Sequence, residues 1–303
     1  LESDESDGSF IKVPQTYSVI TNIDKEHLDF YKSMNNLENK FISFIEKTPS
    51  FGKTFLCVDD KNNRKILKKI KNNNYYTYGT KIGSNFQILN ISQDATFSKF
   101  DLKIKVPGIS DKIIKNVKVP TIGMHNIRNA TAAVAVSLSV GISEKIIKKA
   151  LYEFEGVQRR FTKIFTYNNV NFYDDYAHHP TEIKEVINGI SEVFREKKIV
   201  CIFQPHRVSR LKTLRKDFSY AFKKVDTVVL CPVYKAGENI KLGFKYKNFA
   251  KEIIRNSKVK IILINNAIDL ARFTKQYIFG EKLVVGMGAG SISSWLRSLP
   301  KLL

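Results

Sequence analysis

A chain of 303 residues with 43% hydrophobic and 26% charged side chains has the balance of a folded globular protein with room for two domains, which excludes a disordered or fibrous one. Its formal charge of +21 is scattered along the whole chain, often beside Asn and Ile as in Lys68-Lys69-Ile70-Lys71-Asn72, and scatter argues against a nucleic-acid surface, which needs a cluster. The longest nearly apolar stretch, Ala130 to Ile142, falls short of the ~20 residues of a membrane span, and Cys57, Cys201 and Cys231 lie apart in apolar runs without metal-type spacing. No membrane insertion is expected, and buried free thiols fit the reducing cytoplasm.

The chain opens on Asp4, Glu5 and Asp7 beside Ser3, Ser6 and Ser9. Such hard oxygen donors suit magnesium, and they equally suit a solvated acidic segment. An apolar run from Tyr17 to Thr21 reads as a strand and delivers Asn22, Asp24, Glu26, His27 and Asp29 at its C-terminal end, where the sites of α/β proteins gather. His27 is open there to three readings: metal ligand, general base or hydrogen-bonding loop residue. A helix from Asn35 to Glu46 and a strand from Thr54 to Val58 follow, and between Asn72 and Val119 short alternating stretches around Phe97, Leu102, Ile104 and Val106 predict an antiparallel insertion. Helical spacing returns from Asn126 to Val140, preceded by Gly123-Met124-His125-Asn126 with Asn129 one turn on. One Asn there would cap a helix, whereas two amides and an imidazole together offer the donors and acceptors a purine edge requires. A second helix is expected from an N-cap at Ser143 to about Phe154, and the irregular segment Glu155 to Arg160 marks a domain boundary, dividing 1–155 from 156–303.

The second half alternates strands at Val170 to Tyr173, Ile199 to Phe203, Thr227 to Leu230, Ile261 to Ile264 and Leu283 to Val285 with helical stretches, which predicts a mostly parallel, Rossmann-like α/β sheet. Polar motifs follow three of these strands. Asp174-Asp175-Tyr176-Ala177-His178-His179-Pro180 leads into a helix that Pro180 can begin. Adjacent histidines project apart and no third Cys or His lies near, so substrate or nucleotide contacts are expected over zinc. In Gln204-Pro205-His206-Arg207-Val208-Ser209-Arg210 two arginines three apart can clamp a carboxylate or phosphate, and at a helix start they call for an anionic partner. Gly286-Met287-Gly288-Ala289-Gly290-Ser291 either cradles an anion or simply makes a tight turn.

In this order, with Gly156 before Arg159-Arg160-Phe161 and with Ala236-Gly237-Glu238, the segments resemble the Mur ligases over nearly the whole chain. They are most similar to the branch that joins L-alanine to UDP-N-acetylmuramic acid in peptidoglycan precursor synthesis. The resemblance implies an α/β chain in which a central ATPase domain precedes a C-terminal Rossmann-like domain. ATP would phosphorylate the muramyl carboxylate, with Mg2+ offsetting the phosphate charge, and the alanine amine would attack the acyl phosphate. It implies further that Glu5 and His27 hold metal, that His125, Asn126, Asn129, Arg160 and Asp175 meet the nucleotide, and that Tyr176, His178, His179, His206, Arg207 and Arg210 receive the substrates, with Glu5, His27, His179 and Arg207 named as catalytic. The family's N-terminal UDP-binding domain and Gly-Lys-Thr phosphate loop are not in these residues, and the chain starts at Leu1, so it reads as a piece of a longer protein that alone would not ligate. A muropeptide-recycling tripeptide ligase and a non-catalytic nucleotide-binding remnant remain as alternatives.

Overall fold

The computed structural model describes residues 2–72 and 74–303, with the backbone alone for Asp29, Ile109 and Ser110. The chain divides into two compact units, Leu1–Phe154 and Glu155–Leu303, each with its own apolar cores.

The first unit is a six-stranded sheet whose spatial order follows the chain: β1 (Tyr17–Ile20), β2 (Lys53–Cys57), β3 (Tyr75–Gly79), β4 (Phe86–Gln93), β5 (Ser98–Val106) and β6 (Ile109–Val119). The strands β1 to β4 run parallel and β4 to β6 antiparallel, so the antiparallel arrangement expected between Asn72 and Val119 holds for β4 to β6 but not for β3, which pairs parallel with both neighbours. In β5 the core takes Phe100, Leu102, Ile104 and Val106 while Lys99, Lys103 and Lys105 face water, the period-two pattern of a sheet covered on one face. Parallel pairing of β3 with β4 is limited to Tyr78 opposite Phe86 and Gly79 opposite Gln87.

A short helix α1 (Leu28–Tyr31) precedes α2 (Met34–Glu46), whose N-cap Ser33 accepts the amide of Asn36 at 3.2 Å and whose Leu37, Phe44 and Ile45 enter the core. Helix α3 (Lys61–Leu67) has no counterpart in the sequence reading; its run of Asn, Lys and Arg hides an apolar stripe reduced to Ile66, and the cap Asp60, bound to the Asn63 amide at 2.7 Å, starts it. Helices α4 (Met124–Ser139) and α5 (Glu144–Tyr152) close the unit. Ser143 occupies the N-cap position of α5 with extended backbone, but its hydroxyl makes no capping bond.

The second unit orders its strands β11-β10-β9-β12-β8-β7, where β7 is Thr162–Tyr167, β8 Val170–Asp175, β9 Lys198–Phe203, β10 Thr227–Leu230, β11 Lys260–Leu263 and β12 Lys282–Met287. All pairs are parallel except β7 with β8. The antiparallel edge strand β7 was not expected, since only partly buried side chains alternate along it and no apolar run announces it. Strand β9 is buried from Ile199 to Phe203, as a central parallel strand covered on both faces must be. Helices α6 (Pro180–Val193), α7 (Val208–Thr213), α8 (Arg215–Ser219), α9 (Tyr246–Ser257), α10 (Ala267–Tyr277) and α11 (Ile292–Ser298) link the strands. Because β12 inserts between β8 and β9, the loops after these three strands leave one C-terminal edge side by side.

Candidate active sites

In the first unit the acidic opening folds onto α1. Asp4 accepts the Ser6 amide at 2.5 Å and Asp7 the Ser9 amide at 2.9 Å, and hydrogen bonding from the Ser6 and Ser9 side chains, with those amides behind it, holds both carboxyls below the usual range. Glu5 differs: it is half-buried, burial raises its carboxyl above the ordinary value, and the charge of His27 opposes that rise. The Tyr31 hydroxyl donates to the Glu5 carbonyl, and burial, with Glu5 next, pushes that phenol up to about 12. His27 caps α1 in a left-handed conformation (φ 52°) with its Nε2 3.5 Å from Glu26. The structure therefore brings Glu5 and His27 within electrostatic reach of each other. Asp29's side chain lies outside the described atoms. Among the described residues no three His, Cys, Asp or Glu side chains converge on one point.

Residues that the motif reading passed over hold this edge together. Asn63 is buried, and its amide faces the carbonyls of Ile20, Thr21 and Cys57 at 3.0 to 3.3 Å, while Asn62 reaches the Ile23 carbonyl at 2.6 Å. Adjacent asparagines of one helix thus fix the backbone that carries Asn22 to His27. Asp59 accepts from Thr80 (N and Oγ1, both 2.9 Å) and from Arg128 Nε at 2.9 Å, tying β2 and β3 to the first turns of α4. The D-x-x-N spacing of Asp60 and Asn63 was the one available signal, and it speaks only of a helix start. On α4, Asn126 Nδ2 donates to the Ile122 carbonyl at 2.7 Å, His125 folds back over Gly123, and Asn129 is exposed with no side-chain hydrogen bond among the described residues. Gly123 holds the N-cap position of α4, and neither asparagine makes a side-chain capping bond there.

In the second unit the predicted residues converge on the edge formed by β8, β9 and β12. Asp175 is 2% exposed, accepts the amides of Phe161 and Ala177 at 2.8 Å each, and is pushed up to about 6 by burial. Asp174 is wholly buried on the opposite face of the strand, taking a 2.5 Å bond from Ser293. His178 and His179 separate as expected. The His178 ring meets His206 at 5.5 Å and Tyr176 at 5.1 Å, whereas His179 is buried and caps α6, its Nδ1 accepting from Thr181 N at 3.3 Å while Glu182 returns to the His179 amide. That capping box assigns His179 a structural bond at the ring nitrogen. His206 stacks on Tyr234 (5.7 Å, 10°) with Nδ1 3.3 Å from Arg210 Nη1, and burial, followed by the charge of His178, lowers it to about 4. Arg207 and Arg160 are exposed.

At the arginine-rich start of α7 the Glu238 carboxylate takes the Ser209 amide at 3.0 Å and the Ser209 hydroxyl, within electrostatic reach of Arg207. The glycine segment behaves as a close-packed turn. Gly288 N donates to the Asp175 carbonyl, Gln204 Oε1 takes the Ile292 amide at 3.0 Å, and a Cβ on Gly290 would stand 2.5 Å from Tyr234. Clefts of about 380 and 700 Å³ lie elsewhere, at Arg195 to Lys198 and along the β4–β5 strands.

Two α/β units with polar loops gathered at the carboxyl ends of parallel strands define the α/β architecture in which ligands bind at the strand ends. The chain belongs to the Mur ligase family: residues 2–137 match the Mur ligase middle domain and residues 159–290 the Mur ligase, glutamate ligase domain. It is 60% identical to UDP-N-acetylmuramate--L-alanine ligase of Pelagibacter ubique over 303 residues, all of this chain and 65% of that protein. The protein of the same name from Rickettsia bellii is 38% identical, over 99% of this chain and 64% of its own length. The chain thus spans less than two thirds of the curated relatives it matches. Among solved structures, UDP-N-acetylmuramate-alanine ligase of Thermotoga maritima superposes with a TM-score of 0.75 at 25% identity, covering 98% of this chain and 62% of that one. A murein peptide ligase from Psychrobacter arcticus shares the fold at 19% identity (TM-score 0.67, 97% and 58% covered).

Proposed function

We propose that the protein containing this chain joins L-alanine to UDP-N-acetylmuramic acid at the expense of ATP, in the cytoplasm. The reading is carried by 60% identity, without truncation of this chain, to a relative bearing that activity in its name. The three buried free cysteines support the compartment, and no described helix is long and apolar enough to cross a membrane.

In this reading the terminal phosphoryl group of ATP passes to the muramyl carboxylate, ADP leaves, and the alanine amine displaces phosphate from the acyl phosphate to form the amide. His125, Asn129, Arg160 and Asp175 are the nucleotide contacts, and Asn126 sets the start of α4 as well. Arg207 has no hydrogen bond to its guanidinium among the described residues and is exposed, which suits it to the alanine carboxylate. Tyr176, His178, His206 and Arg210 wall that position, and His206 stays uncharged at neutral pH. His179 acts through α6, fixing the loop that bears Tyr176 and His178. The half-buried Glu5 carboxylate and the neighbouring His27 offer an oxygen and a nitrogen donor that fit a magnesium ion. When bound, such an ion offsets charge on phosphate oxygens.

The test is mass-spectrometric detection of the amide product, with coupled ADP release, from the full-length protein given ATP, UDP-N-acetylmuramic acid and either L-alanine or a tripeptide. Alanine-dependent product supports the proposal. Product with the tripeptide alone makes the protein a recycling ligase, and nucleotide binding without product makes it a non-catalytic binder.

A further inference from the structure

The segment that opens the second unit carries an arginine pair, Arg159 and Arg160. Arg159 is the more constrained of the two. Its backbone sits in the left-handed region (φ 59°), flanked by Gly156 (φ 84°) and Phe161 (φ 52°), so local preference does not hold this segment in place. Contacts to β8, to the loop after it and to the loop after β12 do. Arg159 Nη2 donates to the Gly288 carbonyl at 2.5 Å, the guanidinium lies over the Tyr176 ring at 4.6 Å, and Nε faces the Asp174 carboxylate at 3.8 Å, an ion pair too long for a hydrogen bond. The Arg159 carbonyl in turn takes the Tyr176 amide at 2.8 Å.

Asp174 makes this arrangement expensive. It is wholly buried, its Oδ1 has no hydrogen-bond partner among the described residues, and its charge is answered by Arg159 and by Arg297 at 3.5 Å. A buried carboxylate met by ion pairs of imperfect geometry gains little stability from them, and their effect lies in fixing one particular arrangement. That arrangement fixes Tyr176 from two sides and sets the backbone immediately before Arg160.

We infer that Arg159, seated on Asp174, is a positioning residue that locks the 157–161 segment to the loops after β8 and β12 and so holds Arg160 and Tyr176 in their working places. The lock itself is read from contacts within the second unit; its consequence for ligation rests on the function proposed above.

The experiment therefore has two readouts on the full-length protein and its Arg159→Met, Arg159→Lys, Asp174→Asn and Arg159→Met/Asp174→Asn variants. Hydrogen exchange reads the lock without any assay of activity: in Arg159→Met the Tyr176 and Phe161 amides are expected to exchange at least about tenfold faster, with distant strands such as β10 unchanged. Unchanged exchange at those amides overturns the inference. Steady-state kinetics read the consequence: kcat/KM falls about tenfold or more, Arg159→Lys recovers part of it, and the double variant is no worse than the poorer single one, as expected for residues acting as a unit. Additive losses, or Arg159→Met within about twofold of the parent, overturn the positioning role. Should Arg159→Met not fold, Arg159→Lys and Asp174→Asn carry both readouts. Faster exchange in a protein with no alanine-dependent activity sustains the lock and refutes the proposed reaction instead.

Discussion

Two titrating groups in the second unit have opposite consequences. Burial raises Asp175 to about 6, so the folded state holds that proton more tightly than the unfolded chain does; stability from it is present below about pH 4 and is lost as pH rises through about 6. Asp175→Asn removes the slope. The stability difference between parent and variant, from urea unfolding, is expected to favour the parent more at pH 4 than at pH 7, by on the order of 2 kcal/mol. His206 runs the other way. Lowered to about 4 by burial and by His178, it disfavours charge when folded, so its contribution is full above about pH 6.5 and is lost as pH falls through about 4. A histidine NMR titration should find one ring staying neutral down to about pH 5, and His178→Asn should raise that midpoint; a His206 midpoint near the ordinary value of about 6.5 would refute the packing described.

At the level of elements, the turn after β12 works by the absence of side chains. A Cβ on Gly290 would stand 2.6 Å from Gln204 Oε1 as well as 2.5 Å from the Tyr234 ring, so Gly290→Ala is expected to destabilise the chain by about 1–3 kcal/mol in denaturant unfolding. A neutral outcome would mean that Tyr234 moves freely. Strong periodicity made the elements legible. The five predicted strands of the second unit, α2, and the antiparallel stretch after Asn72 all carry alternation or long apolar runs, whereas α3 shows one buried apolar residue and β7 none, and both escaped. Site residues were legible where they cluster in sequence after a strand, as in 174–179 and 204–210. Asn62, Asn63 and Asp59 were not, because what they bind lies far away in the chain: Asn63 serves carbonyls on two strands, and Asp59 meets Arg128. His179 shows the limit inside a motif, since nothing in His178-His179 tells which ring faces outward and which caps a helix.

For the whole molecule, separate cores on either side of Phe154 predict that limited proteolysis of the native protein cuts first among the exposed residues from Tyr152 to Gln158, releasing a fragment that retains the second unit. First cleavage inside β8 to β12 would contradict the division. The two sheets also differ in the order in which a growing chain can complete them. In the first unit every strand pairs with the one made just before it, so the sheet can extend as the ribosome delivers residues. In the second, the gap between β8 and β9 waits for β12, roughly half a unit after β9, and the loops that form the candidate site are not adjacent to their neighbours until residue 287 has emerged. A nascent chain stalled before Lys282 should therefore hold a protease-resistant first unit and an unfinished second one, exposed to chaperones at the very edge where its chemistry will later reside.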